Sequence, residues 1–370
     1  MNTKRLTYLL IGLFVGLLTF QNCKKDRPQP PVDCENGNGN GEMVYDPTPY
    51  HLDLPQSFTQ FLPPMEIPED NPMTEEGVEL GKKLFFDPIL SGDNSQSCAS
   101  CHDQEFAFSD HNNQFSTGID GIEGRRTSMP LINLGYMDKL FWDGRSESIE
   151  DQAFAPVVDP IEMHETWPNA VSKLKNHSEY PSLFYGAFGT TDIDSTHVVK
   201  AIAQFERTLI SGNSKFDRYQ RGETTLTSLE FEGLNLFITE RGDCFHCHGD
   251  PTNPLWTDNT FRNNGLDSEF DDLGLGEVTG NPNDYGKFKV PTLRNLVFSA
   301  PYMHDGRFNT IDEVIEHYSS GLQSSPTIDP MMKYVSQGGG QFSEDEKAAL
   351  KAFLLTLTDD SFIENPDFKP

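Results

Sequence analysis

"SQSCASCHDQ" (95–104) and "RGDCFHCHGD" (241–250) share one spacing, C-x-x-C-H. The first copy supplies Cys98, Cys101 and His102, the second Cys244, Cys247 and His248. Two thiols two residues apart can each add to one vinyl group of a haem, and the adjacent His then lies under the iron as its proximal ligand. A zinc site would call for four ligands, usually from two C-x-x-C pairs close together. A thioredoxin-like site would call for a βαβ setting, and disulfides would leave both histidines unexplained. The two stretches therefore predict two covalently bound haem c groups.

The chain start fits export. Lys4 and Arg5 precede an apolar run over residues 6–20, long enough for a signal core and short for a spanning helix. "FQNCKKD" (20–26) resembles a lipoprotein signal with Cys23 as the lipidated residue, although Gln21 and Asn22 are bulkier than the usual small residues there. Residues 1–22 are thus read as signal peptide. Residues 23–50 are read as a flexible tether, rich in Pro, Gly and Asn in "PQPPVDCENGNGNGEM" (28–43). Cys34 in that tether has no evident partner and is read as a free or intermolecular thiol. The expected location is periplasmic, with membrane contact only through the Cys23 anchor. A formal charge of −29 argues against nucleic acid and anionic lipid surfaces. It suits a solvated acidic surface and, equally, a cationic protein partner.

Around each haem motif the pattern is helical. "EEGVELGKKLFFD" (75–87) and "LTSLEFEGLNLFI" (226–238) precede the motifs, and "VVKAIAQFERTLIS" (198–211) and "EDEKAALKAFLLTLT" (344–358) follow them, all with Leu, Phe or Ala at helical spacing. Helix, haem motif and closing helix resemble the cytochrome c fold. A second repeat lies between: "SMPLINLGYMDKLFWDGRSESIED" (128–151) matches "KVPTLRNLVFSAPYMHDGRFNTIDE" (289–313). Asp143-Gly144-Arg145 and Asp305-Gly306-Arg307 are 162 residues apart, whereas the haem motifs are 146 apart. The second half therefore carries an insertion, placed in the stretch 262–286. The predicted fold class is mainly α, with two cytochrome c-like haem domains from an internal duplication, over 51–220 and 221–370.

Taken together, both C-x-x-C-H sites, "FWDGR" (141–145), "DPIEMH" (159–164), "KVPTLRN" (289–295) and "PYMHDGR" (301–307) resemble the bacterial dihaem cytochrome c peroxidases and their relatives, the dihaem enzymes that mature methylamine dehydrogenase. The resemblance covers roughly residues 68–358. It implies that peroxide reacts at the N-terminal haem, held by His102. It also implies that the C-terminal haem, held by His248, takes electrons from a small donor protein, a cytochrome c or a cupredoxin. Trp142 matches the tryptophan that carries charge between the haems, Glu162 the catalytic glutamate, and Gln152 a second pocket residue that can hydrogen-bond peroxide. Outside this pattern Trp142 would read as core packing, and Glu162 and Gln152 as solvated polar residues. A homodimer and a calcium ion between the domains are further expectations of the family.

Three departures matter. The loop "FSTGIDGIEGRRTSMP" (115–130) lacks the removable His ligand of the best-known peroxidases, and His111 sits in polar "SDHNNQ". The N-terminal iron is therefore expected to be five-coordinate at rest. "EVIEHYSSG" (313–321) places Tyr318 where the family caps the second iron with Met or Tyr; Met303, Met331 and Met332 are its rivals. Arg126 is followed by Thr127 rather than by the Asn that helps to hold calcium. The leading expectation is a peroxidase that reduces hydrogen peroxide to water. A dihaem oxidase that modifies a partner protein is second, and a non-catalytic electron-transfer cytochrome third.

Overall fold

Each of the four amphipathic stretches forms a helix that packs as one member of a pair. The computed structural model describes residues 45–110 and 113–370; the signal segment, Cys23, Cys34 and His111 lie outside the described residues. In chain order the helices used below are α1 (Glu75–Phe86), α2 (Ile149–Val158), α3 (Ser195–Arg207), α4 (Ser228–Phe237), α5 (Ile311–Glu316) and α6 (Glu344–Leu355). Their starts are written locally. Thr74 accepts from the Gly77 amide, and Asp194 from His197. Thr227 with Glu230 and Ser343 with Glu346 form reciprocal capping boxes. Among the described residues no helix is long and apolar enough to cross a membrane.

The duplication is visible in the packing. α1 crosses α3 so closely that a Cβ on Gly81 would lie 1.8 Å from the Ala201 carbonyl oxygen; α4 crosses α6 with Gly233 at 1.9 Å from that of Ala349. Only glycine fits at either crossing. Phe85 then meets Phe205 at 5.3 Å between ring centroids, and Phe237 meets Phe353 at 5.1 Å. The Asp-Gly-Arg segments fold alike. Leu140 bridges Ser146 and Tyr302 bridges Phe308, and in each triplet the Asp accepts from the Arg amide at 3.2 Å. The molecule is thus mainly helical, with two cytochrome c-like domains, as the repeat predicts.

One core gathers Leu80, Leu84, Phe184, Val198 and Ile202 beside Phe85, Phe108 and Phe205; the other gathers Phe216, Phe237, Trp256 and Phe353. The chain end returns to the first core, where Phe362 and Phe368 meet Phe108 at 5.7 and 6.2 Å. Each fully buried Phe contributes about 1.5–3 kcal/mol. In the second half Arg294, 0 % exposed, holds both Asp217 carboxylate oxygens at 2.8 Å. The extra residues of that half run out between two short paired strands, β1 (Phe261–Arg262) and β2 (Phe288–Lys289), with Phe261 opposite Lys289.

Candidate haem sites and the wall between them

One tight turn presents each haem motif. The amides of Cys101 and His102 both bond to the Cys98 carbonyl, at 3.2 and 3.0 Å, and those of Cys247 and His248 to the Cys244 carbonyl, at 3.3 and 3.1 Å. None of these four cysteines pairs in a disulfide. Before haem is attached, burial pushes Cys98, Cys244 and Cys247 up to about 12 and Cys101 to about 11, which favours the neutral thiol. His102 Nδ1 lies 2.8 Å from the Phe108 carbonyl oxygen, and His248 Nδ1 lies 3.3 Å from that of Trp256. A carbonyl only accepts, so Nδ1 carries the proton and Nε2 is the nitrogen left to ligate. Burial lowers both imidazoles, His248 to about 4, and keeps them in the neutral form that binds a metal.

Each motif opens into its own cavity. The first, about 570 Å³, is lined by Cys98, Cys101 and His102 and by Leu, Ile, Met and Pro side chains. The second, about 240 Å³, is lined by Cys244, Cys247 and His248. Paired thiols, a neutral imidazole nitrogen and apolar walls fit a covalently attached haem in each cavity.

Gln152, Pro156, Glu162 and Trp142 all line the first cavity. α2 carries Gln152 and Pro156 one turn apart, and the turn that follows carries Glu162. Its amide bonds to the Asp159 carbonyl and its carbonyl accepts from Ile119, both at 3.0 Å. Burial, helped by the charge of Asp159 and opposed by Arg145, raises the Glu162 carboxyl to about 7. His102 is the histidine in this wall among the described residues. His164 points elsewhere, with Nδ1 2.5 Å from Asp120 Oδ2 on the exposed side. Sequence reasoning missed Glu206, at the end of α3. It is 4 % exposed, lines the first cavity, has an unpartnered Oε2, and is raised to about 8 by burial. Its signal was an acid on the apolar face of a closing helix.

Tyr318, Met303, Met331 and Met332 all line the second cavity. Tyr318 Oη accepts from Asn264 Nδ2 at 3.1 Å, and the same nitrogen lies 3.5 Å from Met303 Sδ. Burial raises the phenol to about 12, with the Asn264 hydrogen bond acting against it. Past α5 the chain widens into a π turn at His317–Gly321, which carries Tyr318 into this wall. At the 162-residue offset its counterpart is Pro156, in the wall of the first cavity.

The two cavities share a wall that contains Thr127, Trp142 and Lys289. The Trp142 indole N–H donates to the Thr127 carbonyl at 2.9 Å, and the Thr127 amide donates to the His304 carbonyl at 2.8 Å. His304, the repeat partner of Trp142, stacks on Phe288 at 3.6 Å. Beside them the Arg126 guanidinium engages Asp143 at 2.5 Å and Asp272 at 2.7 Å. The insertion reaches the first cavity as well, through Glu277 and Val278.

Two haem cavities separated by one tryptophan-bearing wall define a dihaem c-type cytochrome. The family model for di-haem cytochrome c peroxidase matches residues 75–225. The chain is 36 % identical over 295 residues to the methylamine utilization protein MauG of Methylorubrum extorquens, covering 78 % of this chain and 80 % of that one. It is 33 % identical over 303 residues to cytochrome c551 peroxidase of Nitrosomonas europaea, covering 80 % and 83 %. The crystal structure of a MauG-like protein associated with microbial copper homeostasis superposes with a TM-score of 0.77 at 35 % identity, covering 86 % of this chain and 99 % of that one. The chain belongs to the di-haem cytochrome c peroxidase/MauG family, whose members similar to it include both peroxidases and MauG proteins.

Proposed function

We propose that this protein reduces hydrogen peroxide to two waters in the first cavity, using two protons and two electrons that a small donor protein delivers at the second. The observation that carries this reading is Glu162, a carboxyl held near a pKa of 7 in the wall of the cavity that also holds Gln152 and His102. A group with that pKa can take a proton from one peroxide oxygen and return it to the leaving one at neutral pH. Gln152 can donate an amide N–H to bound peroxide and orient it. Pro156, in the same wall, has no donor atom and so cannot ligate an iron held there by His102. Trp142, in both walls, is the side chain through which charge passes between the cavities. The bound haem supplies the iron redox chemistry. Placement on the periplasmic side, through a lipid on Cys23, belongs to the same proposal.

A second reading, an oxidase that modifies a partner protein, is favoured by Tyr318, whose phenol oxygen faces the second cavity where a carrier-fed peroxidase commonly has Met. A carrier without catalysis would have no use for Glu162 in that wall. The test is steady-state turnover with peroxide and a reduced small cytochrome c. The expected result is two donor molecules oxidised per peroxide consumed. Peroxide consumption without donor oxidation would favour the second reading.

A further inference from the structure

Cations in the walls of the two cavities are paired, with one exception. In the first cavity Arg125 pairs with Glu277, Arg126 with Asp143 and Asp272, and Arg145 with Asp143. In the second, Arg262 pairs with Asp258 and Asp329, and Lys333 with Glu240 and Asp243. Lys289 lines both cavities and forms no ion pair among the described residues. Its side chain is 4 % exposed, and Nζ makes one hydrogen bond, to Asn259 Oδ1 at 3.0 Å. An ammonium has three N–H groups. Burying one without a counter-charge is strongly unfavourable.

Position adds to this. Lys289 ends β2, and its amide N–H bonds to the Trp142 carbonyl at 2.9 Å. The ammonium also lies 5.7 Å from the centroid of the Phe261 ring, whose negative face suits a cation. Burial lowers its pKa to about 8, with Asp138 and Asp258 acting against that, so the group is mainly charged at neutral pH. Every haem carries two propionate carboxylates, and among the cations in these walls Lys289 is the one without a carboxylate partner among the described residues.

We propose that Lys289 is a shared counter-cation of the two haems: its ammonium, in the wall common to both cavities, takes haem carboxylate as its partner and raises the reduction potential of both irons together. This rests on the two-haem family and not on the substrate, so it holds whether peroxide or a partner protein is the final target. A positive charge favours the reduced iron electrostatically, and a group buried in the shared wall is little screened by salt.

Redox titration of the holoprotein, with haem content read from intact mass in the same samples, tests it. In Lys289→Met both midpoint potentials should fall, at low and at high ionic strength, while Lys289→Arg keeps them near those of the wild type. Asn259→Asp is the second variant, should Lys289→Met not fold. It sets a carboxylate against Nζ and should lower both potentials too. Unchanged potentials, or a fall at one haem only, in variants that retain both haems would overturn the role of Lys289. A wild-type chain without two haems would instead overturn the family's cofactor content in this protein.

Discussion

The backbone amide of Lys289 donates to the carbonyl of Trp142 at 2.9 Å, so a strand of the second half is fastened to the tryptophan in the wall between the cavities. The indole of that tryptophan is fixed in turn by Thr127, and Thr127 by His304. Trp142 is therefore held by both halves of the duplication.

Glu162→Gln should leave both haem spectra nearly unchanged and slow peroxide cleavage by about 10²–10⁴-fold, the span of general acid–base catalysis. The wild-type carboxyl sits near 7 because burial disfavours its charge. As pH falls below that value the carboxylate is protonated and can no longer accept a proton, so the rate of peroxide cleavage should fall on the acid side. Single-turnover rates against pH check both points. An acid limb that persists in Glu162→Gln would assign the proton to another group, Glu206 first.

Peroxide should react with the fully oxidised protein without prior reduction. Loop 115–130 has no His, and His164 is engaged by Asp120 away from the cavity. The measurement is the resting spectrum followed by mixing with peroxide. Two low-spin haems, with reaction only after one-electron reduction, would contradict it.

Tyr318→Phe should convert the C-terminal haem from six- to five-coordinate in the oxidised spectrum. Ferric iron draws a phenol far below its unperturbed pKa of about 10, which makes the oxygen a ligand despite the upward pull of burial. A sulfur-to-iron band in the wild type that survives Tyr318→Phe would assign the place to a methionine, with Met303 nearest to the same Asn264 amide.

Arg294→Met should destabilise the fold by about 3–5 kcal/mol, because it leaves Asp217 buried and unpaired. Burial alone would raise Asp217, but the Arg294 charge and the hydrogen bonds from Arg294 and Ser214 outweigh it and hold the carboxyl below the ordinary value. A depressed carboxyl stabilises the fold above its unfolded pKa, and that contribution is lost as pH falls through the folded value. The difference between wild type and variant should therefore shrink below about pH 4. Denaturant melts at neutral and acid pH check the sign.

What could be read from the sequence was local or periodic. Two C-x-x-C-H turns, four amphipathic helices and the Asp-Gly-Arg repeat each declare themselves within a few residues, and the repeat offset alone pairs Pro156 with Tyr318. Glu206 and Asn264 did not stand out, and Lys289 did so only as the first residue of the repeat. In a chain with 57 acids another Glu reads as surface, and a Lys that ends a two-residue strand, or an Asn just past one, carries no period. Glu206 is buried by packing within the first half, whereas Lys289 is buried in the wall that Trp142 shares between the cavities. The insertion was legible as a difference of offsets; its delivery of Glu277 and Val278 to the first cavity depends on β1 pairing with β2.

The most direct test of a single unit working across two cavities is Trp142→Phe in protein that retains both haems. Reduced donor is mixed with enzyme and peroxide, and haem oxidation at each site is followed separately. The account predicts that the donor still reduces the second haem and peroxide still reacts at the first, while peroxide-driven donor oxidation falls steeply because charge no longer passes the wall. Donor oxidation at the wild-type rate would contradict it.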